Sequence, residues 1–175
     1  MAITINGSGT LSGVTAGLTA ASMPSGSVLQ VVQAVKTDTT SHDTTTWTDI
    51  SGLSVSITPS NASNKVLVYY SAAGCTVNIG YIRLVRDSTV LGSGDASSSR
   101  TSCGVAFCRQ SSDNQMLESF TNSYLDSPST TSATTYKLQW RDDNGTIYLN
   151  RSVTDSDSVS GIRCSSVITA MEIKG

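Results

Sequence analysis

Few side chains in the 175-residue chain could do chemistry, and they are quickly enumerated. The one histidine, His42, stands in Thr-Thr-Ser-His-Asp-Thr-Thr-Thr, where a neighbouring serine and aspartate raise the question of nucleophilic catalysis. A serine nucleophile needs a strained elbow to present its hydroxyl and an oxyanion loop facing it, and no G-x-S-x-G occurs. His42 therefore reads as a solvated loop residue. Two carboxylate pairs, Asp142 with Asp143 and Asp155 with Asp157, have the residue type for glycoside hydrolysis, which needs a positioned acid and base. With Asn144 they could also surround calcium. Both pairs sit in turn-forming strings, neither follows the D-x-[DN]-x-[DN]-G spacing, and no bidentate glutamate follows them. The cysteines Cys75, Cys103, Cys108 and Cys164 contain no CxxC pair, and a single histidine cannot complete a zinc set. Residues 1–25 lack a basic region followed by an apolar core, so no export signal is read. The thiols are accordingly expected to be reduced, partly buried small hydrophobes, although four would permit two disulfides after release from a cell. The expectation is no enzyme, no metal and no cofactor.

The composition says which scaffold must hold these groups. Only 14% of residues are charged, the formal net charge is −2, and the 11 basic residues are spread along the chain, which excludes a nucleic-acid footprint. No run approaches the ~20 apolar residues of a membrane-spanning helix, so membrane insertion is excluded as well. Serine occurs 31 times and threonine 23 times, whereas glutamate occurs twice and lysine four times. Helical surfaces are built from Ala, Leu, Glu and Lys, which lose little freedom in a helix; hydroxyl side chains suit turns and the solvent side of strands. An all-helical chain is excluded.

Residues 1–26 are set apart. The first 27 residues carry no charge and five glycines, Gly7, Gly9, Gly13, Gly17 and Gly26. So few apolar groups cannot offset the ordering entropy of this segment in a core of its own. It reads either as a flexible tail or as an extended arm that orders against another subunit, with Ile3, Ile5, Leu11, Val14 and Leu18 as anchors; its lack of charge favours the arm.

Residues 27–175 read as strand after strand. Residues 28–37 are β-branched and lead into a turn-rich stretch at 38–46. Leu53, Val55 and Ile57 alternate with Ser54, Ser56 and Thr58 until Pro59 ends the ladder. Residues 65–71 (Lys-Val-Leu-Val-Tyr-Tyr-Ser) are apolar enough to predict burial on both faces. Residues 75–86 and 89–91 read as a hairpin around Asp87-Ser88, and 104–109 and 115–125 continue the series. Tyr136, Leu138 and Trp140 alternate with Lys137, Gln139 and Arg141, and Asp142-Asp143-Asn144-Gly145 carries the strongest hairpin signal. Residues 146–149 return, and 167–173 close the chain. Eight to ten short strands with turns every ~8–12 residues predict an all-β antiparallel β-sandwich or jelly roll. The aromatics Trp47, Trp140 and Tyr81, with their neighbours, read as core or inter-subunit packing, or else as a carbohydrate platform.

Several strings resemble a known class. The opening Met1-Ala2-Ile3-Thr4-Ile5-Asn6-Gly7-Ser8-Gly9-Thr10 resembles the starts of tailed-phage virion proteins, especially of marine and cyanobacterial phages. So do Leu53-Ser54-Val55-Ser56-Ile57-Thr58-Pro59, Leu84-Val85-Arg86-Asp87-Ser88-Thr89-Val90-Leu91-Gly92, and the run from Tyr124-Leu125-Asp126-Ser127-Pro128 to Tyr136. The resemblance implies a virion structural protein with a jelly-roll head similar in kind to the trimeric C1q and tumour-necrosis-factor-like heads. It implies a homotrimer assembled in the host cytoplasm and carried on the virion surface. Its partners would be the major capsid protein or other virion subunits, and its role capsid decoration (cement) or a short head fibre. The alternative is a tail-fibre tip that attaches to host surface glycan through loops such as 92–102 or 38–46. A glycan-cleaving enzyme and a host sandwich domain are further rivals.

Overall fold

The computed structural model describes residues 4–5, 11–12, 19–108 and 116–175, the first two pairs by their backbone alone. Ile3, Val14 and Leu18 of the expected arm lie outside the described residues. Ile5 and Leu11 are backbone partners where β1 (Thr4–Ile5) pairs antiparallel with β2 (Leu11–Ser12). Helical structure among the described residues is limited to one 3-10 turn, Ala20–Ser22, and no helix among them is long and apolar enough to cross a membrane.

The remaining strands are β3 (Val28–Lys36), β4 (Thr40–His42), β5 (Thr48–Ile57), β6 (Lys65–Thr76), β7 (Ile79–Arg86), β8 (Thr89–Leu91), β9 (Val105–Cys108), β10 (Glu118–Asp126), β11 (Thr134–Asp142), β12 (Ile147–Leu149) and β13 (Ser166–Ile173). In the first sheet β6 carries β10 along one edge and β13 followed by β12 along the other, and β3 and β4 pair outside those two. In the second sheet β5, β11 and β7 lie side by side, with β8 and β9 sharing the far edge of β7. Counting β3/β4, β8/β9 and β12/β13 as interrupted strands leaves two sheets of order 1-8-3-6 and 2-7-4-5. That is the antiparallel β-sandwich expected from the strand pattern, with jelly-roll connectivity.

Period-two alternation puts every second residue into one shared core. Leu53, Val55 and Ile57 of β5, Val66, Val68 and Tyr70 of β6, Ile82 and Leu84 of β7, and Tyr136, Leu138 and Trp140 of β11 are buried there with Ile147, Leu149 and Ile168. Ser54, Ser56 and Thr58 face solvent, so the hydroxyls lie outward as their alternation predicts.

Four details depart from the sequence reading. β5 begins at Thr48, because Gly52, at φ 86°, allows a register shift against β11 that brings both Ile50 and Leu53 inward and hides the alternation. β4 lies inside the stretch read as turn. The Asp142–Gly145 turn has the expected chemistry, with Asn144 at φ 65°, yet it makes no hairpin: β11 belongs to the second sheet and β12 to the first, so the chain crosses between layers. Residues 65–71 are not buried on both faces, since Lys65 and Tyr69 are exposed and Leu67 half-exposed while Val66, Val68 and Tyr70 are buried.

Candidate functional site: the two outer faces

The outer face of the first sheet is uncharged along three rows, and seven of the twelve residues in them are apolar or aromatic. Cross-strand register lines up Val31, Met171, Leu67 and Leu125 in one row across β3, β13, β6 and β10. Beside it lie the row Gln33, Thr169, Tyr69, Ser123 and the row Val35, Val167, Ser71, Thr121. Val31 and Val35 are each 55% exposed, Val28 and Leu125 49%, and Tyr69 40%. Their exposed parts sum to roughly 400 Å², the size of patch that on a monomer is often functional. None of these three rows holds a charged residue; Lys65 stands beside Ile173 in the row at one end. The far end of the face is covered by the 150–165 loop, where the Arg151 guanidinium lies 4.2 Å from the centre of the Tyr148 ring and the Cys75 thiol donates to the Arg151 carbonyl.

The outer face of the second sheet is polar. Arg83 donates from Nε and Nη2 to Gln139 Oε1 at 2.9 and 2.7 Å, and Gln139 Nε2 donates to Asp49 Oδ1 at 2.7 Å. Lys137 Nζ donates to the other Asp49 oxygen at 2.7 Å. That bond holds the Asp49 carboxyl below its ordinary value against a partial opposing effect of burial, with Gln139 assisting. The guanidinium carbon of Arg83 lies 4.2 Å from the centre of the Trp47 ring, and that of Arg141 lies 5.7 Å from the centre of the Tyr81 ring.

At the base of the sandwich two carboxylates are buried on either side of Val66. Glu172, 1% exposed, accepts from the Ser60 amide and hydroxyl and from Asn64 Nδ2 on Oε1, and from Gln30 Nε2 on Oε2, all within 2.5–2.7 Å. Burial alone would raise its pKa, but the bonds from Asn64, Gln30 and Ser60 outweigh burial and hold it below the ordinary value. Asp126 binds Arg86 Nη1 with both oxygens at 2.8 Å and accepts the Tyr136 hydroxyl at 2.6 Å. Burial and that same carboxylate raise the Tyr136 pKa. The sequence reading passed over both carboxylates, although Glu172 stands in phase with Ile168 and Ala170. A cleft of about 450 Å³ lies alongside, between residues 19–21, residues 60–64 and Gly175. Lys174 Nζ donates to the carbonyls of Ala21 and Met23 there, tying the end of the N-terminal segment to the last strand.

The residues first considered for chemistry are dispersed. His42 is on β4 rather than in a solvated loop; its ring stacks on Trp140 with centroids 5.3 Å apart, and Nε2 meets Thr44 Oγ1 and the Thr46 carbonyl. Asp142 is fully buried and accepts from the Gly145 amide and the Thr76 hydroxyl, while Asp155 pairs with Arg163 and Arg151. Among the described residues no three His, Cys, Asp or Glu side chains gather as a metal-binding set. All four cysteines are free thiols, with Cys75 buried and Cys108 exposed. Loop 92–102 is closed by bonds between Gly94 and residues 102 and 103. Compared with models of known protein families and with curated protein sequences, the chain matches none.

Proposed function

We propose that the chain is a non-enzymatic structural protein of a phage virion surface. In this reading it is a homotrimeric capsid decoration or short head-fibre protein that docks on the major capsid protein or other virion subunits through residues 1–26. The observation that carries the reading is the charge-poor outer face of the first sheet. Interface centres are depleted of charge, and the three rows of this face carry none, on a chain whose other outer face is polar and charged. Covering its exposed apolar area removes on the order of 10 kcal/mol of hydration cost per protomer at ~25 cal/mol/Å². That is comparable with the ~4–15 kcal/mol of lost rigid-body freedom on association, so the face supports assembly of identical copies, and anchoring the arm on a particle adds to it. Three-fold symmetry follows from the resemblance to trimeric jelly-roll heads.

The reading is tested by the native mass and by the particle. Sedimentation should give a trimer for the intact chain, and V31K with L125K, both at exposed positions, should return it to a monomer with an unchanged near-ultraviolet spectrum. Deleting residues 2–25 should abolish particle binding and leave the trimer. Full decoration of particles by the truncated chain would end the arm model.

A further inference from the structure

We infer that the outer face of the second sheet binds an acidic saccharide, with the rings of Trp47 and Tyr81 as stacking surfaces and Arg83, Arg141 and Lys137 meeting its acid groups. This neither requires nor follows from the virion reading, and it uses the face that self-association through the first sheet leaves open.

Charge comes first. Arg83, Lys137 and Arg141 place three cations in neighbouring rows in which Asp49 is the one carboxylate, with Asp87 and Asp143 at the two ends of β11. One of the three is paired, Lys137 with Asp49, whereas both bonds of Arg83 go to the uncharged Gln139. Arg141 Nε is itself buried without a hydrogen-bond partner, so a ligand would be met by the Nη1 and Nη2 groups of its guanidinium. A planar fork of that kind is suited to a carboxylate or sulfate taken side-on.

The second feature is the alternation of rings and hydrogen-bonding groups. Tyr81 and Arg141 are cross-strand neighbours, and the next row holds Arg83, Gln139 and Asp49 with Trp47 against Arg83. Both rings are partly exposed, offering apolar surface on which the C–H face of a sugar can lie beside a cation. Asp49 and Gln139 supply acceptors next to the donors, which matches hydroxyl-rich molecules. A DNA backbone brings acceptors only and offers Asp49 no donor, whereas the hydroxyls of a saccharide can donate to it. A protein partner would look for apolar pockets for its anchors, yet the outward side chains of β11 are Thr135, Lys137, Gln139 and Arg141.

The probe is a hexagalacturonate, titrated into the intact protein by calorimetry and by tryptophan fluorescence. Trp140 is 3% exposed, so a fluorescence change on binding reports chiefly Trp47. Saturable binding is expected, at least about tenfold tighter than for the neutral maltohexaose and weaker at high salt. A heparin hexasaccharide in a parallel titration distinguishes sulfate from carboxylate as the preferred acid. R141Q and W47A should each weaken binding about tenfold or more while the melting curve and the oligomeric mass stay as in the parent. Absence of saturable binding to both acidic probes, equal affinity for maltohexaose, tighter binding of a single-stranded oligonucleotide, or full affinity in R141Q and W47A would each overturn the inference.

Discussion

Replacing Glu172 by glutamine tests whether an ionised carboxylate organises the base of the sandwich. Its two oxygens take four hydrogen bonds, three of them on Oε1, from Ser60, Asn64 and Gln30, and its side chain is inaccessible to water. Glutamine is isosteric, but it turns charge-assisted bonds into neutral ones and sets an amide N–H against the Gln30 amide. Bonds to a charged group contribute ~1.5–3 kcal/mol each against ~0.5–1.5 for neutral ones; after the lower desolvation cost of the amide, the net loss is about 2–3 kcal/mol. For a domain of this size that lowers the melting temperature by roughly 4–12 °C. The pH dependence is the sharper readout. A carboxyl whose folded pKa lies below its unfolded value contributes stability that is complete above the unfolded pKa and is lost as pH falls through the folded one. The stability difference between parent and E172Q should therefore be largest near neutrality and shrink between about pH 5 and pH 3, measured by urea unfolding at each pH. A variant as stable as the parent at pH 7, or a difference that stays constant down to pH 3, would refute the reasoning.

Other expectations follow from single contacts. D126A removes the acceptor of both Arg86 and the Tyr136 hydroxyl, and should cost about 3–5 kcal/mol in urea unfolding, well beyond the ~1 kcal/mol expected for Y136F. In G74A the new Cβ would stand 2.5 Å from the Tyr148 carbonyl oxygen and 3.4 Å from Phe107 Cζ; the backbone on one side cannot yield, so a loss of about 2 kcal/mol or more is expected. Burial pushes the Cys75 thiol up to about 11, whereas Cys108 is exposed. Iodoacetamide on the native protein should label Cys108 first and Cys75 last, and equal rates would contradict the burial pattern.

The period of two in Leu53–Ile57 and Tyr136–Trp140 is a direct consequence of strand geometry, so those faces could be assigned without coordinates. The Asp87-Ser88 hairpin was equally legible, because two residues join Arg86 to Thr89 and Asp87 takes a positive φ. The Asn144-Gly145 turn shows where local chemistry stops: it fixes a reversal of the chain but not whether the next strand stays in the same sheet. The first outer face was concealed by its own composition. A run such as Val66-Leu67-Val68-Tyr69-Tyr70 reads as doubly buried, yet Tyr69 is exposed and Leu67 half-exposed, because no strand among the described residues forms a layer beyond the sheet there. The second face was hidden differently, since Trp47, Tyr81, Arg83 and Arg141 lie on three stretches of chain that meet only through the register of β5, β11 and β7.

The central claim, assembly of identical copies through the first sheet on a virion surface, is tested most directly by an electron cryo-microscopy reconstruction of virions that carry the protein. The account predicts three copies about a three-fold axis on the particle exterior. Val31, Leu67 and Leu125 should lie in the contacts between copies, Trp47 and Arg141 should face solvent, and the N-terminal segments should run into the particle. Isolated single copies, or copies joined through the second sheet with the Val31 face open to water, would contradict it.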